Sequence, residues 1–271
     1  MEPRPLQIEP QRLLEGAGGP PSSGRGVVLL ISGPQFADDA SVSTDDPRLS
    51  LSTPQISSDG QWLAVQAWLD VDPSLSFGET ATVSVSIDVG DGEISEVPIV
   101  VDGLDELTLA GPVDGATLAP MYSQVVTSET TTFVGDAPIH LTATNLIRIQ
   151  HPIIASGVGL APGPGGQAGG KGGVDGEGLR GGAAGEMRDT GCAGGGGGAG
   201  AQMSGEAGGR GATGGLAGPA TPRRPNDADR LAGHGGGGGG DRRETIGGSG
   251  GGGGGSVWLA AAALAIEASI D

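Results

Sequence analysis

The sequence has little of several residue types that define common classes of protein. Its 271 residues include one cysteine, Cys192, so no intramolecular disulfide can form and cysteine usage indicates no compartment. Aromatic residues make up only 3%, so a core must be built from valine, isoleucine, leucine and alanine. Lysine occurs once among 14 basic residues, beside abundant glycine, alanine and proline. That composition is typical of a GC-rich bacterial genome.

Long apolar runs are also lacking. Residues 257–266 form an uninterrupted run of ten, whereas a membrane-spanning helix needs roughly 20. Residues 1–26 contain no apolar segment of the kind that export signals carry, and the run at 27–31 is too short for one. We therefore expect no membrane span. Either the true start of the protein lies upstream of Met1 or the protein stays inside the cell, and we expect the first.

Basic residues are scarce in the first half of the chain. Residues 1–136 hold 21 Asp and Glu against 4 Arg, within a net charge of −18 for the whole chain. A surface this acidic repels phosphate groups, which excludes nucleic acids and anionic membranes as partners. The expected partners are cell-surface polysaccharides or other surface proteins.

Glycine is abundant and concentrated in one segment. Of 57 glycines, 43 lie in residues 157–255, which contain no Phe, Tyr or Trp. A segment so poor in large apolar side chains cannot offset its ordering entropy by burial. Residues 158–256 are therefore predicted to form a disordered, low-complexity insertion, with a packed array of extended glycine strands as the alternative.

The glycine runs match no ligand-binding motif. A phosphate-binding loop needs Gly-Lys-Ser/Thr after its glycines, and none follows the runs at 194–198, 235–240 and 250–255. Calcium-binding nonapeptides need an apolar residue where Arg243 stands, two positions after Asp241. Arg-Gly segments that bind RNA are interleaved with aromatic residues, which this segment lacks.

Residues 27–101 alternate between apolar and polar side chains, as half-buried strands do. In residues 80–88, for example, Val83, Val85 and Ile87 share one face. The uninterrupted run at 27–31 predicts a strand covered on both faces. Turn residues recur about every ten positions, so residues 25–102 are predicted to form an antiparallel β-sandwich behind a flexible Pro/Gly-rich leader at 1–24.

Four segments of this region resemble bacterial IPT/TIG-type immunoglobulin-like domains. They are VLLISGPQF at 28–36, SSDGQWL at 57–63, LDVD at 69–72 and GETATV at 78–83. Such domains carry an ISGxxF strand end, a DGxxL turn and a late glycine before a VxV strand. The resemblance covers residues 5–102, and it implies an extracellular spacer or adhesion module rather than an enzyme.

Two similar apolar segments flank the glycine-rich insertion. Residues 139–153 and 257–270 align with one gap, so that like residues match at four positions: Leu141 with Leu259, Ala143 with Ala261, Ile149 with Ile266 and Ile153 with Ile270. A recurring strand unit is typical of stacked β-solenoid coils, so we expect the two segments to pair in parallel and in register. Residues 103–157 would supply connector strands and the first coil, and residues 257–271 a second, truncated one.

The stretch at 122–157 resembles glycine-rich secreted proteins of myxobacteria and their relatives. In those proteins a PIxLxA strand leads into an IxxxIxASG strand and then into a glycine-rich excursion, as residues 138–143 and 149–157 do here. The resemblance implies an extracellular or cell-surface location. The predicted fold is therefore all-β: an immunoglobulin-like sandwich, then a partial parallel β-solenoid interrupted by the disordered insertion.

Few residues are candidates for a binding site. Trp62 and Trp68 share the face of one predicted strand opposite its apolar residues, where two exposed indoles could stack on sugar rings. Sealing of the sheet against a neighbour is the alternative. Acidic clusters could hold Ca²⁺, but without the Asp-x-Asp-x-Asp-Gly spacing they are interpreted as turn residues: Asp38-Asp39, Asp45-Asp46, Asp70 with Asp72, and Asp88, Asp91 and Glu93.

No catalytic, cofactor-binding or metal-binding residue is predicted. His140, His151 and His234 have no Ser–His–Asp or metal-ligand spacing. The expected function is that of a non-enzymatic secreted or cell-surface structural or adhesive protein of a GC-rich bacterium. One alternative is a carbohydrate-binding module that uses Trp62 and Trp68. The other is a β-solenoid polysaccharide lyase or hydrolase, which would need a cluster of acidic and basic groups on the coil face; Arg148 alone does not supply that cluster.

Overall fold

The structure is a computed structural model that describes residues 5–72, 74–159, 161–171, 173–177, 182–184, 187–188, 191–192 and 250–271. These residues are almost entirely β-structure, and their helical content is limited to 3₁₀ turns at Pro21–Ser23 and Gly115–Thr117. The predicted all-β class is confirmed. Within the described ranges, no helix has the length and apolar character needed to cross a membrane.

The first nine strands form an N-terminal unit of two sheets. They are β1 (Gln7–Glu9), β2 (Arg12–Leu14), β3 (Val27–Ser32), β4 (Ser41–Ser43), β5 (Leu49–Leu51), β6 (Gln55–Ile56), β7 (Trp62–Leu69), β8 (Thr80–Asp88) and β9 (Ile94–Asp102). Sheet 1 has the order β1-β3-β7-β5, with β6 also on β7, and sheet 2 has the order β2-β9-β8-β4. Neighbouring strands are antiparallel except β2 and β9, which are parallel.

The two sheets share one hydrophobic core. Leu63 and Val65 of sheet 1 and Val85 and Ile99 of sheet 2 belong to a single buried cluster. The alternation predicted for residues 80–88 is confirmed, because Val83, Val85 and Ile87 are buried while the hydroxyl side chains between them face outward. Burial of one face per strand is the main stabilising term of this unit.

Two sequence-based expectations for this unit differ from the structure. The run at 27–31 is not covered on both faces: Leu29 and Ile31 are buried, but Val28 and Leu30 are 49% and 41% exposed, because no part of the chain that the structure describes covers them on the outer face of sheet 1. Residues 7–14, expected to lie in a flexible leader, supply one strand to each sheet and bury Ile8 in the shared core.

The later strands form what we term the parallel stack, apart from one short hairpin. They are β10 (Leu107–Asp114), β11 (Tyr122–Val134), β12 (Ile139–Ile149), β13 (Ile153–Ile154), β14 (Met187–Arg188), β15 (Gly191–Cys192), β16 (Val257–Ala260) and β17 (Ala263–Ile266). The stack has the order β10-β11-β12-β16, with β13 on β11 and β17 on β12, and every pair in it is parallel. Antiparallel β14 and β15 pair with each other. The strands β10 and β11, in the region expected to supply connector strands, therefore belong to the stack.

The predicted pairing across the insertion is confirmed. Leu141 pairs with Leu259, Ile149 with Ile266 and Ile153 with Ile270, all in parallel. The gap in the alignment corresponds to one extra residue in β12 between Thr142 and Leu146. The inward-facing residues of β12 and β13 form a second buried cluster, which is separate from the core of the N-terminal unit.

The described ends of the glycine-rich insertion are hydrogen-bonded to each other. Gly163 N–H donates to Gly253 O (2.9 Å), Gly253 N–H to Gln167 O (2.8 Å) and Gly250 N–H to Gly170 O (2.8 Å). For residues 161–171 and 250–256 the expectation of disorder is therefore wrong. These residues form no β-strand, so the alternative of an array of extended glycine strands is not shown either. The Gly194–198 and Gly235–240 runs, Asp241, Arg243 and His234 lie outside the described residues.

Glu15 lies where the N-terminal unit meets the stack. Its side chain is completely buried, with Asp72 N–H donating to Oε1 (2.5 Å) and Leu104 N–H donating to Oε2 (2.9 Å). Its backbone carbonyl accepts a hydrogen bond from the Thr144 hydroxyl of β12. Burial raises the pKa of Glu15, and the two N–H donors partly oppose that shift. One buried carboxylate thus joins three segments distant in sequence.

Candidate binding surface on sheet 1

The outer face of sheet 1 carries few charges. Strand alternation turns Trp62, Ala64, Gln66 and Trp68 of β7 outward, because the residues between them fill the core. The cross-strand register places Leu30 opposite Ala64, and the other outward pairs are Ser32–Trp62, Val28–Gln66, Gln55–Ala64 and Ser50–Trp68. Among the residues of the five strands of this sheet, only Glu9 is charged.

Trp62 is held at the end of β7 by an ordered turn. Gly60 adopts a positive φ of 66°, and its N–H donates to Ser57 O at 2.8 Å. Ser57 then pairs with Trp62 in both directions, since Trp62 N–H donates to Ser57 Oγ and Ser57 N–H donates to Trp62 O, each at 2.9 Å. The hydroxyl of Ser57 also donates to Asp59, which lowers the pKa of that carboxyl. The indole is consequently presented on a rigid support.

A shallow groove of about 260 Å³ adjoins the Trp62 indole. Its lining combines the indole, 47% exposed, with two amide side chains and one hydroxyl: Gln7, Gln61 and Ser32, together with Pro5 and Gly33. A second groove, of about 370 Å³, follows on the same face; Val28, Ala64, Val65, Gln66, Ser52, Thr53 and Gln55 line it. Neither lining contains a charged residue. Such surfaces can stack on apolar ring faces and exchange hydrogen bonds with hydroxyl groups.

Trp62 and Trp68 face the same way but do not form one platform. They are six residues apart on one strand, which separates them by about 20 Å. Trp68 is only half-exposed, and a Cβ built on Gly26 would lie 3.0 Å from its Cε2 atom. Its indole N–H is buried without a hydrogen-bond partner in the part of the chain that the structure describes. The side chains that accompany Trp62 are therefore Gln7, Ser32 and Gln61, which the sequence alone did not indicate.

The acidic clusters serve turns and ion pairs. Arg48 donates to Asp46 Oδ2 (2.6 Å) and Asp72 Oδ2 (2.7 Å). It lowers the pKa of Asp46, whereas the pKa of Asp72 is lowered first by hydrogen bonds from Ser74 and then by Arg48. Asp88 accepts from Gly90 N–H, and Asp91 from Glu93 N–H. The interpretation as turn formers is confirmed for Asp46, Asp72, Asp88 and Asp91, whose carboxylates accept hydrogen bonds from backbone N–H groups two residues further on. Within the described ranges, no group of three or more His, Cys, Asp or Glu side chains is placed to hold a metal ion.

The histidines of the parallel stack have local contacts. His140 faces outward, as predicted, and its ring stacks on Trp258 of the neighbouring strand at a centroid distance of 6.1 Å. His151 forms a corner, where its N–H donates to Thr127 Oγ1 at 2.8 Å. Arg148 lies 3.9 Å from Glu267, in an exposed ion pair. These contacts stabilise neighbouring rungs and corners of the stack.

No protein-family model matches this chain, and no curated protein matches it significantly.

Proposed function

We propose that this protein is a non-enzymatic structural or adhesive protein of a bacterial cell surface. The observation that carries the proposal is the outer face of sheet 1, which is uncharged apart from Glu9 on a chain of net charge −18. Exposed patches of Val28, Leu30 and Trp62 in a strongly charged molecule are typical of interaction surfaces. The immunoglobulin-like and β-solenoid assignments and a secreted location belong to the same proposal.

The location is tested by antibody labelling of intact cells that produce the full chain. We expect labelling before permeabilisation, because a surface protein exposes its epitopes without it. A cytoplasmic protein of the same cells, labelled only after permeabilisation, is the control. Labelling of the chain that requires permeabilisation would refute a surface location.

A second candidate function is binding of neutral carbohydrate at Trp62. The groove beside its indole offers the amides of Gln7 and Gln61 and the hydroxyl of Ser32, without any charged group. That lining complements a sugar ring with an apolar face and a rim of hydroxyls. The net charge of −18 disfavours uronic acid polymers.

Trp62→Ala is expected to weaken binding of a neutral polysaccharide by at least about 10-fold, since loss of a central aromatic contact costs about 2 kcal/mol or more and about 1.4 kcal/mol corresponds to 10-fold. Binding is measured by depletion assays on amylose, cellulose and chitin, with polygalacturonate as the anionic probe. Trp258→Ala removes an indole of similar exposure from the other part of the chain and is expected to change nothing. Equal losses in the two variants, or a preference for polygalacturonate, would count against a site at Trp62, whereas they would leave the surface location standing.

A further inference from the structure

Residues 250–256, which lead directly into β16, have hydrogen bonds that repeat every three residues. One set of N–H groups donates to the segment that enters the insertion: Ser256 to Pro164 O (2.8 Å), Gly253 to Gln167 O (2.8 Å) and Gly250 to Gly170 O (2.8 Å). The set one position earlier donates to a second segment: Gly255 to Ala155 O (2.8 Å) and Gly252 to Gly159 O (2.7 Å). Residues 250–256 are therefore bonded on two sides, by positions offset by one residue.

The third set of positions consists of Gly251 and Gly254. Within the described part of the chain, neither N–H donates a hydrogen bond. Both residues are exposed, whereas Gly253 between them is buried. A Cβ built on either would meet nothing within 4 Å, but a Cβ on Gly252 or Gly255 would lie 2.4 Å from a backbone carbonyl oxygen. Exposure and steric clearance thus repeat every three residues, as the hydrogen bonds do.

A repeat of three residues fits neither a β-strand nor an irregular loop. A strand turns successive residues to opposite sides, so its bonded positions would repeat every two residues. A polyproline II helix has about three residues per turn, a rise of about 3.1 Å per residue and no internal hydrogen bonds. Its N–H and C=O groups are consequently left for neighbouring chains. Residues 250–256 likewise form no β-strand and direct their N–H groups to other described segments.

We propose that residues 250–256 form a polyglycine II helix, the glycine form of the polyproline II helix. We further propose that this helix, which we term the clasp, holds both ends of the glycine-rich insertion on the parallel stack. The facing segment has the same repeat, because Cβ atoms built on Gly163, Gly166 and Gly169 would each lie within 2.7 Å of the clasp backbone. Chains with side chains at these positions could not approach so closely. The clasp is independent of what the face of sheet 1 binds.

Ser256, the last residue of the clasp, joins it to the stack. Its N–H donates to Pro164 O, and its carbonyl oxygen accepts from the N–H of Ile139, the first residue of β12 (both 2.8 Å). Val257 follows at once and pairs with Ile139 in the register of β12 with β16. Pairing of β16 with β12 requires closure of the chain between residues 170 and 250, which costs conformational entropy. The contacts of the clasp offset that cost directly beside β16.

The first test is hydrogen exchange of the unaltered full chain, resolved at single amides. Within residues 250–256 we expect fast exchange only at Gly251 and Gly254, because the other N–H groups donate to backbone carbonyls. Protected amides that alternate every two residues would indicate a β-strand, and fast exchange throughout would indicate a loop. Either result would overturn the proposal. Because no substitution is involved, this test does not depend on whether a variant folds.

Alanine substitutions in the full chain then test whether the clasp positions β16. Gly252→Ala places a Cβ against a backbone carbonyl oxygen, so the amides of residues 257–260 should exchange at least about 10-fold faster. Gly251→Ala is the matched control and should leave their exchange unchanged, because its Cβ meets nothing. Amides of β8 should respond to neither substitution. Equal effects of the two substitutions would contradict the helix. Faster exchange of residues 250–256 in Gly252→Ala without faster exchange of residues 257–260 would contradict the role of the clasp.

Discussion

Replacing Glu15 by alanine is expected to lower the free energy of unfolding by about 2–6 kcal/mol, since two buried N–H groups lose their acceptors at about 1–3 kcal/mol each. Those groups belong to Asp72 and Leu104, and the carboxylate between them has no solvent exposure. Glu15→Gln keeps one acceptor oxygen but directs an amide donor at the other N–H. The free energy of unfolding should therefore fall by an intermediate amount. Urea denaturation followed by circular dichroism measures both changes.

Glu9→Ala is the matched control for this prediction. Glu9 lies six positions earlier, on β1, and its side chain is exposed. Exposed substitutions of this kind usually change stability by less than about 0.5 kcal/mol. If Glu15→Ala cost no more than Glu9→Ala, the hydrogen bonds from Asp72 and Leu104 to the carboxylate would contribute nothing to stability.

The pH dependence of the Glu15 effect has a defined sign. Because burial raises the pKa of Glu15, the folded chain keeps a proton there that the unfolded chain has released. The contribution of Glu15 is complete below its unfolded pKa and declines as pH rises through its folded pKa. The loss caused by Glu15→Ala should therefore be larger near about pH 4 than near about pH 7.5. Asp46, Asp72 and Asp102 act in the opposite direction, because their lowered pKa values confer stability that is lost as pH falls.

The pairing of β12 with β16 and β17 was predictable from sequence, because the two segments resemble each other. Leu141 and Leu259, or Ile149 and Ile266, are identical residues at paired positions of neighbouring rungs, so the pairing can be read from the sequence. The pairing of β10 with β11 is not accompanied by a similar repeat in the sequence. Leu107 meets Val125 and Gly111 meets Thr131, so the sequence shows no repeat there although the rungs are equally parallel.

Short strands and missing layers were not predictable. β1 and β2 have three residues each and bury one apolar side chain each, which is too little alternation to distinguish them from a leader. The run at 27–31 indicates a strand, but composition cannot tell whether a second layer covers Val28 and Leu30. That depends on what packs on the outer face of sheet 1, and the described chain leaves this face open.

The candidate binding surface was predictable only in part. Alternation in β7 is enough to place Trp62 on the outer face. Its neighbours Gln7 and Ser32 come from other strands through the register, which the sequence does not encode locally. Glu15 gave no signal at all, because an isolated acidic residue ordinarily lies in solvent and only the folded chain supplies its two N–H donors.

Gly163→Ala is expected to lower the free energy of unfolding by about 3 kcal/mol, at the upper end of the usual cost of overpacking. A Cβ built on Gly163 would overlap the carbonyl oxygen of Ala155 and would lie 2.5 Å from Gly255 N. Both are backbone atoms, so no change of rotamer can relieve the overlap. The chain segments before β16 and after β13 would have to separate, and this would loosen the pairing of β16 with β12.

Gly254→Ala is the matched control, because it lies on the returning segment and a Cβ there would meet nothing within 4 Å. It should be neutral or slightly stabilising, since alanine lowers the entropy of the unfolded chain at a site it can occupy. Urea denaturation of the two variants under the same conditions measures the difference. A segment that acted only as a loose tether would tolerate both substitutions equally, because nothing would be packed against Gly163. Unequal losses would show that glycine is required here for close backbone contact, as at Gly252 and Gly169, whose added Cβ atoms would also meet backbone carbonyls.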